Sequence, residues 1–182
     1  DITNEPPAIL EKYGVNDKAT SKFGRQCLLA KKFTEAGVRF VEIGHGGWDM
    51  HQNINDNLKK QATAIDKPIG GLIQDLKDCG LFEDTILLFG SEFGRTPGIK
   101  EGATGRDHNN GGFSMWMAGG GIKGGQRYGS TDDFGHKAIE EYSMDMHDLH
   151  ATILHLMGLD HTKLTYRYSG RDFRLTDVFG NI

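Results

Sequence analysis

Asp84-Thr85-Ile86-Leu87-Leu88-Phe89-Gly90-Ser91-Glu92-Phe93-Gly94-Arg95-Thr96-Pro97 is the stretch on which the fold reading turns. Its first half is a short, almost wholly apolar run between Asp84 and Gly90. Such a run predicts a strand covered on both faces, the habit of strands in parallel sheets. The strand therefore spans Asp84 to Gly90, and polar residues, Glu92 and Arg95 among them, follow at once beyond its end.

Upstream, Asn16 or Asp17 can cap a helix that reaches about Ala36. Phe23, Cys27, Ala30 and Phe33 mark its apolar face, and Gly37 closes it. Val38 to Ile43 reads as a strand by its β-branched content. A glycine-rich turn, Gly44 to His51, comes next. A second helix runs from about Asn55 to Cys79, with Leu58, Ala62, Ile65, Ile69, Leu72, Ile73 and Leu76 as its stripe and Pro68 as a kink. Downstream of the central run lies a loop holding Gly105-Arg106-Asp107-His108-Asn109-Asn110. Phe113 to Ala118 is a third strand, followed by an irregular excursion to about Ala138. Met146 or Asp148 opens a last helix, ended by Gly158. Thr165 to Val178 adds a hairpin or edge strand. This order predicts an α/β fold, a mostly parallel sheet flanked by helices, in one domain over 1–182. Sites in such sheets form beyond the carboxyl ends of the strands.

Composition narrows the function classes. The 182 residues include 26 glycines and only 4 prolines, with 37% hydrophobic and 25% charged residues. That excludes collagen, coiled coil and wholesale disorder. The formal net charge of −4 is no nucleic-acid footprint. No apolar run approaches the length of a membrane span. Cys27 and Cys79 lie on apolar stretches and read as two buried thiols rather than a disulfide framework. The polar opening from Asp1 reads as the start of a piece cut from something longer.

The chemistry-bearing residues gather at the predicted strand ends. Asp49 and His51, Glu92, and Asp107 with His108 offer carboxylate and imidazole from three loops. A divalent cation such as zinc, manganese or iron accepts this mixed oxygen and nitrogen set. Arg95 and Arg106 suit the oxygens of a phosphate or sulfate, because guanidinium is planar and bidentate. His147 and His150 share a face of the last helix, with Asp148 as its predicted N-cap, and read more readily as packing or capping residues than as ligands. His45 reads as a pocket residue, and His155 as a core histidine. No G-x-S-x-G elbow, P-loop or dinucleotide fingerprint is present.

Gly46-Gly47-Trp48-Asp49-Met50-His51, Glu92-Phe93-Gly94-Arg95-Thr96-Pro97, Gly105-Arg106-Asp107-His108-Asn109, the run from Asp148 to His155 and the run from Gly170 to Val178 together resemble the domain of unknown function 1501 family. That family is usually described as sulfatase-like, and looks like a branch of the alkaline phosphatase and sulfatase superfamily. The resemblance implies an alkaline-phosphatase-like fold and metal-dependent hydrolysis of phosphate or sulfate esters. It implies Asp49, His51 and His108 on one cation and Glu92 on a second, the ions being zinc, manganese, calcium or iron. Arg95 and Arg106 would stabilise the anion. It also implies a periplasmic or extracellular home.

Three departures stand out. Phe93 occupies a position where the superfamily usually has a second donor. The Asp49-x-His51 spacing is tighter than usual. The superfamily's nucleophile lies ahead of these motifs, so the chain resembles a C-terminal portion, with an incomplete sheet and partial or no activity of its own. An uncovered sheet edge then predicts self-association. Two other readings stand beside the hydrolase: a non-catalytic binding or structural module that retains the fold, and an enzyme with a single cation.

Overall fold

Pro7 begins the first helix at a position where its missing N–H removes no helical hydrogen bond; α1 spans Pro7–Lys12. The structure is a computed structural model that describes all residues except 100, 140 and 142. It packs as two units, residues 1–83 with 98–107, and residues 84–97 with 108–182.

The first unit is helical. α2 (Ser21–Glu35) starts later than the capping signal at Asp17 suggests. Asp17 instead closes a turn of its own, accepting from the Ala19 N–H at 2.8 Å. The Thr20 hydroxyl then donates to the Gly14 carbonyl at 2.6 Å. α3 (Ile54–Asp78) runs through Pro68 and packs along α2. Phe23, Cys27, Leu28 and Ala30 of α2 are buried, as are Ile65, Leu72 and Leu76 of α3, with Tyr13 and Val15 from the connection between α1 and α2. This core lets the helices form despite modest intrinsic propensity. Gly24 is needed for its closeness, since a β-carbon there would stand 2.2 Å from the Tyr13 carbonyl oxygen.

Asp75 is buried in the same core. The Tyr13 hydroxyl donates to its Oδ2 at 2.9 Å, and the Lys12 ammonium pairs with its Oδ1. A buried carboxylate needs such partners, because ionised groups out of water are costly when unpaired.

Two expectations for this unit are corrected. Val38 to Ile43 is not a strand among the described residues, and most of it is exposed. Cys79 is exposed, so only Cys27 is a buried thiol.

The second unit overturns the predicted fold class. Among the described residues there is no parallel sheet, and the alkaline-phosphatase-like arrangement of a mostly parallel sheet flanked by helices is absent. Six short strands form three separate antiparallel pairs. β1 (Leu87–Phe89) pairs with β4 (Trp116–Ala118), placing Leu88 opposite Met117. The Phe89 and Trp116 rings stack with centroids 5.5 Å apart. β2 (Gly94–Arg95) pairs with β3 (His108–Asn109), so Arg95 faces His108 across the ladder. β5 (Thr165–Tyr168) and β6 (Arg171–Arg174) form the hairpin expected near the end of the sequence. An apolar run says that a strand is sticky, but not which direction its neighbour takes. Here Leu88 is 46% exposed, so the run is not covered on both faces.

α4 (Met146–Leu156) buries Leu149 and Ala151. Its N-cap is Asp145 rather than Asp148. Asp145 and Asp148 form a reciprocal capping box, with Asp148 at the third helical position. His155 is exposed and is not a core residue. No described helix is long and apolar enough to cross a membrane.

Candidate metal centre

Met50-His51-Gln52-Asn53 and Thr104-Gly105-Arg106-Asp107 lie about half a hundred positions apart, yet run together in the first unit. The Arg106 N–H donates to the Met50 carbonyl at 3.1 Å, and the Ile54 N–H to the Thr104 carbonyl at 3.1 Å. The Thr104 hydroxyl donates to Gln52 Oε1 at 2.8 Å and accepts the Asn53 N–H at 2.8 Å. Asn53 takes a left-handed conformation (φ 51°) at the entry to α3, a state that asparagine tolerates well. Met50, between the two donors, is buried.

This lacing brings Asp107 to His51. His51 Nδ1 lies 3.2 Å from Asp107 Oδ1, and His51 Nε2 lies 3.0 Å from Asp49 Oδ1. One imidazole thus stands between two carboxylates. All three side chains face solvent, with 45% of His51, 69% of Asp49 and 56% of Asp107 exposed. A small ion reaching this cluster meets little steric hindrance.

Of the expected ligands, Asp49 and His51 are brought together. His108 is the next residue after Asp107 and belongs to the second unit, where its ring lies 4.3 Å from that of Phe93. Phe93 offers no donor, and what it supplies is a ring against the imidazole. Glu92 is exposed and also belongs to the second unit. Arg106 is in the first unit beside Asp107, and Arg95 is in the second, paired with His108.

The other histidines are held by ordinary contacts. His45 Nε2 lies 2.8 Å from Gln61 Oε1, and its ring sits edge-on to Phe23 and Trp48, so it fixes the glycine-rich turn to the helices. His147 Nδ1 is 2.6 Å from the capping Asp145, and its ring packs 5.1 Å from Phe179. His161 is buried and contacts the Thr176 hydroxyl through Nδ1 at 2.9 Å. Asp107 belongs to the donor cluster by sequence, but nothing there marks it as a partner of His51. Its only signal was adjacency to His108. The Thr104 and Gln52 lacing had no signal at all.

The family described as Protein of unknown function (DUF1501) matches residues 1–182, and the chain belongs to that family. No curated protein and no solved structure matches it.

Proposed function

We propose that Asp49 and His51, with the 104–107 loop laced against them, form a divalent-cation site, and that the site serves hydrolysis of phosphate or sulfate esters. The observation that carries this is the 3.0 Å separation of Asp49 Oδ1 and His51 Nε2. Two donors that each stand about 2.0–2.2 Å from one ion come about this close to each other. His108 is a further ligand in this reading only as the family resemblance implies. The nitrogen donors favour zinc, manganese or iron over calcium, which takes oxygen ligands.

When bound, such a cation acts as a Lewis acid toward an ester oxygen. The chain's own residues do the rest. Asp49 and His51 hold the cation. Arg106 carries a planar guanidinium group that matches the oxygens of a phosphate or sulfate, and Arg95 has that role only as the family resemblance implies. Glu92 belongs to a second cation only by family resemblance, and Phe93 beside it brings no donor, so one cation suffices.

A second reading has an observation in its favour. The packing of Phe93 on His108 suits a non-catalytic module in which the imidazole is a structural contact. The two separate by titrating inorganic phosphate and sulfate into the zinc-loaded chain. Anion binding that weakens in Arg106→Ala supports the hydrolase. A bound cation with no affinity for either anion supports the module.

A further inference from the structure

We infer that Asp107 is the positioning carboxylate of this site: it accepts the Nδ1 proton of His51 and so presents Nε2 to Asp49 and the cation. The inference rests on the cation-site reading above and assigns the two carboxylates different tasks.

The two nitrogens of an imidazole point away from each other, so Asp49 and Asp107 flank the ring on opposite sides, at 3.0 and 3.2 Å. One cation takes one ring nitrogen. The carboxylate on the other nitrogen cannot share that cation through His51, and is left to accept an N–H. A histidine ligand whose second nitrogen donates to a carboxylate is held in one tautomer and one orientation.

The structure indicates which carboxylate does which. Nδ1 is the nitrogen nearer the main chain. On that side the 104–107 loop lies directly against the backbone of residues 50–52, so closely that a β-carbon on Gly105 would stand 2.5 Å or less from three of its atoms. Asp107 reaches Nδ1 from this crowded side, and the backbone bonds of its neighbours Arg106 and Thr104 hold the loop there. Asp49 meets Nε2 at the distal end of the ring, two residues away in the same turn.

The test uses the full chain with 15N-labelled histidine, followed by long-range proton–nitrogen NMR and zinc competition titrations. With zinc bound, His51 keeps its proton on Nδ1. Asp107→Asn weakens zinc about 10–100-fold, the usual cost of losing an outer partner, whereas Asp49→Ala removes binding. The metal-free Asp49→Ala chain gives an independent readout: the neutral His51 carries its proton on Nδ1, and adding Asp107→Ala moves it to Nε2. A proton on Nε2 in metal-free Asp49→Ala overturns the inference. So does an Asp107→Asn chain that loses as much zinc affinity as Asp49→Ala. Zinc failing to bind at all, with the Nδ1 proton where expected, overturns the cation reading and upholds the hold of Asp107 on His51.

Discussion

A β-carbon on Gly105 would stand 2.2 Å from the carbonyl carbon of His51 and 2.3 Å from the Met50 carbonyl oxygen. The close approach of two segments that builds the site therefore depends on one missing methyl group. Gly105→Ala forces the loop off the 50–52 backbone, because the obstacle is main chain and cannot swing aside. The expected cost is about 1–3 kcal/mol, the range for overpacking a tight contact. Denaturant unfolding measures it, and zinc affinity falls with it. Gly102→Ser, at a loop position where a β-carbon meets open space but φ is 77°, separates strain from crowding: it lowers stability without lowering zinc affinity.

The thiols give a second check. Cys27 is 1% exposed, and burial pushes its thiol up from 9.0 to about 12. Cys79 is exposed. A thiol reagent at pH 8 is expected to modify one cysteine in the folded chain and two after denaturation. The buried thiol also sets an alkaline limit. The unfolded chain releases the Cys27 proton from about pH 9 while the folded chain keeps it, so the unfolded state binds fewer protons. Stability from this group is complete below pH 9 and falls as pH rises toward about 12. Melting temperatures across that range test the sign, and Cys27→Ala flattens the dependence.

The start of α4 supplies an acid limit. The His147 N–H and then its ring hold the Asp145 carboxyl below its ordinary 3.8, and the Asn181 N–H does the same for Asp148. Both groups contribute stability above their ordinary range, and it is lost as pH falls through their lowered values. Asp145→Ala removes the cap and costs about 0.5–2 kcal/mol. The expected outcome is a lower melting temperature at pH 7 and a shallower loss between pH 4 and pH 2. An unchanged acid profile would show that the capping box does not govern this end of the helix.

The apolar periodicity locates the two long helices. The stripe through Ile65, Leu72 and Leu76 marks α3, the Phe23-Cys27-Ala30 face marks α2, and of the two forms expected for Thr165 to Val178, hairpin or edge strand, the chain takes the hairpin. The parallel sheet was not legible, because pairing direction is a property of two segments. Val38 to Ile43 has strand composition but no strand beside it, and Leu87 to Phe89 found an antiparallel partner. Phe33 and Leu58 lie on predicted apolar faces yet are 48% and 49% exposed, since a helix face is covered only where a neighbour reaches. The site was legible as a list of donor types. That Asp107 meets Nδ1 of His51 was not, because it depends on Thr104 and Gly105 fitting against residues 50–53.

The central claim is that this chain binds a divalent cation through Asp49 and His51. Elemental mass spectrometry of the purified chain, beside His51→Ala and His108→Ala, tests it most directly. His51 and His108 are exposed, so neither substitution opens a core cavity, and circular dichroism verifies that both variants fold. The account predicts about one equivalent of zinc, manganese or iron in the parent chain, absent from His51→Ala and reduced in His108→Ala. No metal in the parent chain even after ions are added, or metal retained in His51→Ala, would contradict it.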